Sequence, residues 1–73
     1  MNRAASMNRI TVNGEARSVE EATTLAELVA ALGQPPAALA TAVNGEFVPR
    51  SERAALRLRE GDAVFTFQPI TGG

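Results

Sequence analysis

Apolar positions run at a period of two, then of about 3.6, then of two again, and each stretch is closed by turn residues. Ile10 and Val12 alternate with Arg9 and Thr11, the pattern of a strand with one buried face. Asn13-Gly14 follows, a pair suited to a type I′ turn because both central positions need positive φ. Glu15 to Val19 is the returning strand. Leu25, Leu28, Val29 and Leu32 then fall at i, i+3, i+4 and i+7 and form one helical stripe. Thr24 with Glu27 three residues on is a capping box, in which each side chain meets a free backbone N–H of the other residue. Gly33 supplies a left-handed stop, and Pro35-Pro36 prevent continuation.

Beyond a loop through Leu39, Ala40 to Val43 reads as a strand. Asn44-Gly45 makes a second hairpin turn, and Glu46 to Val48 returns until Pro49, which has no N–H to give a ladder. Ser51 to Leu56 is expected to form a short helical turn and Glu60-Gly61-Asp62 a tight turn. Ala63 to Gln68 is the last strand, ended by Pro69. The small, polar residues 1–6 show no periodicity and are expected to be a disordered extension. A second Met-Asn-Arg at Met7 marks the start of one folded domain, 7–68, with a flexible tail over 69–73. Hairpin, helix, hairpin, turn and strand make an α+β domain of four to five strands. One amphipathic helix covers only one face of such a sheet, so the other is solvated or meets a partner.

Composition removes several kinds of chemistry. The chain has 73 residues, 45% apolar, with seven Arg against eight Asp plus Glu and a net charge of −1. Arginines scattered through a slightly acidic chain form no basic stripe, which argues against nucleic acid as a partner. No apolar run approaches the roughly 18 residues of a membrane span, and MNRAASMNRI has no apolar core of a secretory signal, so the expected location is the cytoplasm. Cys and His are absent. That excludes a structural zinc site, a thiol nucleophile and a Ser-His triad, and leaves carboxylates as the possible acids, bases or magnesium ligands, with no metal site singled out. A chain without the usual general base is not expected to be an enzyme in its own right.

One candidate for chemistry remains, the Gly72-Gly73 end. Neither residue has a Cβ, so the pair can adopt backbone angles closed to other residues and pass into a narrow cleft. A terminal carboxyl, with a pKa of about 3.3–3.7, is an anion at neutral pH and a poor electrophile. Acylation at Gly73 therefore needs prior activation, and the chain has no Gly-x-x-x-x-Gly-Lys-[ST] loop to hold ATP. The activating machinery has to be another protein. No lysine is present to compete for an activated end, although a genome's base bias explains that absence more simply.

The element order resembles the β-grasp, or ubiquitin-like, fold. The segment VNGEFVPRS (Val43 to Ser51), Gly61-Asp62 and the ending FQPITGG (Phe67 to Gly73) resemble the sulfur carrier proteins of thiamine biosynthesis, the ThiS family. The resemblance runs from Met7 to Gly73 and implies a mixed sheet with the main helix on one face. It further implies that a partner similar to ubiquitin-activating enzymes uses MgATP to adenylate Gly73, the chain binding no cofactor itself. Sulfur from a persulfide on a donor protein then replaces AMP as a thiocarboxylate, which thiazole synthase consumes. Ile70, Thr71 and Gly72 would present the end. Thr71 departs from the Gly or Ala of many members and adds bulk there. Molybdopterin-synthase small subunits share fold and tail, and Phe67-Gln68-Pro69 departs only partly from their Phe-Pro-Pro run. That alternative stays open, as do a ubiquitin-like interaction module and a modifier conjugated to lysines.

Phe65 and Phe67 fall on one side of the last strand, opposite Val64 and Thr66. Both rings in the core is one outcome, the common fate of phenylalanine. The preferred outcome turns Val64 toward the helix and leaves the rings on the open face to dock the activating enzyme and the synthase. Val48 is grouped with them as a docking residue. Arg50, Arg53, Arg57 and Arg59 are expected to form a solvated face, and Asp62 to be a turn former.

Overall fold

Two hairpins and one helix form where the sequence marks them, and the computed structural model, which describes residues 6–33 and 35–68, shows how the last strand joins them. The strands are β1 (Met7–Val12), β2 (Glu15–Glu20), β3 (Ala40–Val43), β4 (Glu46–Val48) and β5 (Ala63–Phe67), with one helix, α1 (Leu25–Ala31). In both hairpin turns the asparagine has φ 53° and the glycine φ 88° or 85°, the left-handed pair that a two-residue connection between twisted strands demands. Pairing on the first hairpin begins before Met7. The Ser6 carbonyl accepts from Glu21 N at 2.9 Å, so the ladder takes in one residue of the expected extension. Residues 1–5 and the expected tail, 69–73, lie outside the described residues.

The capping box forms as the sequence predicts. Thr24 Oγ1 accepts from Glu27 N at 3.2 Å, and Glu27 Oε1 accepts from Thr24 N at 3.0 Å. At the other end Leu32 caps the helix and Gly33 takes φ 80°. The short helical turn is a 3₁₀ helix, Arg50–Ala55, and a second one that the sequence reading did not anticipate spans Pro36–Ala38. After it, Leu56 O accepts from Leu25 N and Leu58 N donates to Thr23 O, each at 2.9 Å, which ties this segment to the start of α1.

The strand order is β2-β1-β5-β3-β4. β5 pairs parallel with β1 and antiparallel with β3, so the last strand fills the gap between two hairpins whose inner edges each have unpaired backbone groups. The result is a five-stranded mixed sheet. One face carries the core, built from Ile10, Val12, Val19, Val43, Val48 and Val64 of the strands, Leu25, Leu28 and Val29 of α1, and Leu39 and Leu58 of the connections. Burying each such side chain stabilises the fold by roughly 1.5–3 kcal/mol. The opposite face has no layer over it among the described residues.

Candidate functional site

Alternation along β5 decides what the open face displays. Val64 is fully buried against the helix side, so Phe65 and Phe67 point the other way and remain 44% and 48% exposed. The open-face placement of the two rings is the one observed. Val48, however, is a core residue, 5% exposed, and its carbonyl accepts a 3.0 Å hydrogen bond from Thr41 Oγ1 on the buried side. It is not available for docking. Its neighbour Phe47 lies on the outer side of β4 and is the most exposed of the three rings at 65%.

Register brings these rings together. Ala42 on β3 stands opposite Phe47 on one side and Phe65 on the other, and Ala40 stands opposite Phe67. Directly paired residues lie about 5 Å apart on a shared face. Three phenylalanines therefore border a strip of alanine, and the small methyl groups leave the rings standing above the sheet. The sequence held the signal for Phe47. A two-residue Asn-Gly hairpin fixes the register, so an inward Val43 requires an inward Glu46 position and an outward Phe47.

The arginine run divides. Arg50, Arg57 and Arg59 are exposed as expected, and Arg57 and Arg59 share an open groove of about 330 Å³ with Glu46, Glu52 and Asp62, so the surface there is of mixed charge. Arg53 does not belong to this solvated face and is 3% exposed. Its Nε donates to Thr41 Oγ1 at 3.1 Å, and a terminal nitrogen donates to Leu39 O. Desolvation, with a smaller contribution from the nearby Arg50 charge, lowers its pKa from the ordinary arginine value.

Asp62 is a turn residue. Its two oxygens accept from Arg59 N at 2.8 Å and Asn44 Nδ2 at 3.0 Å. Among the described residues no three His, Cys, Asp or Glu side chains gather as metal ligands, and no helix is long and apolar enough to cross a membrane. Ile70, Thr71, Gly72 and Gly73, the residues predicted to present and carry the reacting carboxyl, lie outside the described residues. What the structure does place is their root, β5, at the centre of the sheet with its aromatic face open.

A mixed five-stranded sheet with one main helix across one face defines the class as ubiquitin-like β-grasp. The profile of the ThiS family matches residues 10–73, and the chain belongs to that family. It is 35% identical over 65 residues to the sulfur carrier protein ThiS of Escherichia coli (strain K12), covering 89% of this chain and 98% of the relative. It is also similar to the crystal structure of a thiamine biosynthesis protein (ThiS) from Geobacter metallireducens. That likeness has a TM-score of 0.79 and 31% identity over 89% of this chain and 99% of the other. A solution structure of a thiamine biosynthesis protein from the same organism gives a TM-score of 0.70 and 32% identity, covering 89% and 87%.

Proposed function

We propose that this chain is a sulfur carrier for thiamine biosynthesis and that Gly73 is the atom-bearing residue. The family match carries the reading, because it runs through the Gly-Gly end itself and includes the β5 root from which that end extends. In this reading the Gly73 carboxylate attacks the α-phosphorus of MgATP in the active site of an adenylating enzyme, and pyrophosphate leaves. A persulfide on a donor protein then attacks the acyl carbon and expels AMP. A further thiol cleaves the S–S bond, leaving a terminal thiocarboxylate. Thiazole synthase takes that sulfur. In this reading the chain acts as a protein co-substrate, working in the cytoplasm.

The open face of Phe47, Phe65 and Phe67 is the surface that holds each partner in turn while Ile70, Thr71 and Gly72 lead the carboxyl inward. Aromatic anchors with low conformational freedom suit such repeated docking. Incubation of the purified chain with MgATP, the adenylating enzyme and a persulfide donor, followed by intact-mass spectrometry, tests the reading. One oxygen replaced by sulfur at Gly73 is expected, and an unchanged mass removes the proposal. Deleting Gly73 in the cell is expected to create a requirement for the thiazole moiety. A molybdoenzyme defect or a loss of protein conjugates would instead assign the chain to one of the other carrier or modifier roles.

A further inference from the structure

β5 leaves the sheet between unequal neighbours. On one side β3 pairs with it as far as Phe67, opposite Ala40. On the other, β1 pairs only at Thr11 with Ala63 and Val12 with Val64 before turning away at Asn13-Gly14. The ladder on that side nevertheless continues. Asn13 N donates to Val64 O at 2.8 Å. Its side chain then takes the next step: Thr66 N donates to Asn13 Oδ1 at 2.9 Å, and Asn13 Nδ2 donates to Thr66 Oγ1 at 3.0 Å.

One side-chain amide thus stands where another strand residue would. Asparagine serves the turn and the clasp together, since it tolerates the left-handed φ and carries both a donor and an acceptor. Asn44 is its counterpart at the start of β5. Ala63 N donates to Asn44 Oδ1 at 3.0 Å, and Asn44 N donates to Ala63 O at 2.8 Å. The two hairpin turns hold opposite ends of the same strand, and of the two asparagines it is Asn13 that holds the end from which the tail departs, on the side away from β3.

We infer that Asn13 is a positioning residue for the C-terminal carboxyl. By pinning Thr66 it sets the point and direction at which the chain leaves the sheet. This rests on the carrier reading above. Residues 69–73 span at most about 18 Å when extended, so a change of direction at their root displaces the end by several ångströms. A pre-set root also reduces the ordering cost when the tail enters a partner's cleft.

The test uses the full chain with three substitutions. Asn13→Gly keeps a Gly-Gly type I′ turn and removes the clasp. Asn13→Asp keeps acceptors for Thr66 N–H and, by hydroxyl rotation, for Thr66 O–H. Asn44→Gly removes the equivalent clasp at the far end of β5. Three quantities are read: amide exchange of Thr66 by NMR, the melting temperature, and the dependence of the Gly73 sulfur-transfer rate on carrier concentration. Asn13→Gly is expected to speed Thr66 exchange and lower kcat/KM by roughly three- to tenfold, the range of one or two net hydrogen bonds. Asn13→Asp should restore kcat/KM, and Asn44→Gly should lower the melting temperature without lowering kcat/KM. Normal Thr66 exchange or normal kcat/KM in Asn13→Gly overturns the inference alone, as does an equal kcat/KM loss in Asn44→Gly. A wild-type chain that never accepts sulfur overturns the carrier reading and this inference with it.

Discussion

Arg53 Nε and Thr41 Oγ1 lie 3.1 Å apart inside the fold, and that same hydroxyl donates to Val48 O at 3.0 Å. A guanidinium taken from water therefore bridges the 3₁₀ helix, β3 and β4 from beneath the Phe47 strand. Its other donor holds Leu39 O, in the connection that leads into β3. Removing a buried donor leaves an acceptor without its partner, which costs more than the bond's net contribution.

Arg53→Met, which keeps the stem but not the donors, is expected to destabilise the chain by about 1–3 kcal/mol. For a domain this small that corresponds to a fall in melting temperature of roughly 4–8 °C per kcal/mol. Arg53→Lys should recover only part of the loss, because an ammonium cannot span two acceptors as a planar fork does. Urea unfolding of the three proteins measures this. A loss under about 0.5 kcal/mol, the range of an ordinary surface substitution, would show the bridge to be unimportant.

Phe47 and Val48 are adjacent in sequence and opposite in consequence. Val48→Ala is expected to cost about 1–2 kcal/mol of stability through lost burial while leaving partner affinity of the folded chain intact. Phe47→Ala should leave stability within about 0.5 kcal/mol and weaken binding to the adenylating enzyme by roughly tenfold or more. Calorimetric titration beside thermal melts separates the two. Equal losses of stability would contradict the outward placement of Phe47.

Phe65→Ala follows the same logic on the central strand. Partner affinity is expected to fall more than stability, since its ring is 44% exposed and borders the alanine strip. A large drop in melting temperature with unchanged binding would return Phe65 to a packing role.

Thr24→Ala should cost about 1 kcal/mol, the usual worth of an N-cap hydroxyl. Glu27→Ala should cost less, and the double variant less than the sum, because the two bonds of the box support each other. Additive losses in denaturant unfolding would mean that the two side chains act independently.

Much of the architecture was legible along the chain because it depends on near neighbours. The Asn-Gly turns, the capping box and the stripe from Leu25 to Leu32 each need contacts only a few residues apart, and they form as read. The open-face site was legible in part. Alternation paired Phe65 with Phe67 on one side of the strand, but Val48 was grouped with them as a docking residue and Phe47 was missed. Whether a side chain points outward depends on which face the helix covers. A run of arginines gave no hint that Arg53 is buried, since its hydrogen-bond partners lie 12 and 14 residues away.

By itself the sequence determined the turns, the helix and its caps, and the short strands. Tertiary structure alone decided that β5 lies between β1 and β3, that Val64 faces inward, and that Asn13 reaches Thr66 across 53 positions. The physical division is one of range. Backbone angles and capping bonds are settled by adjacent residues, whereas strand order and burial follow from closing long loops so that one apolar face is taken out of water.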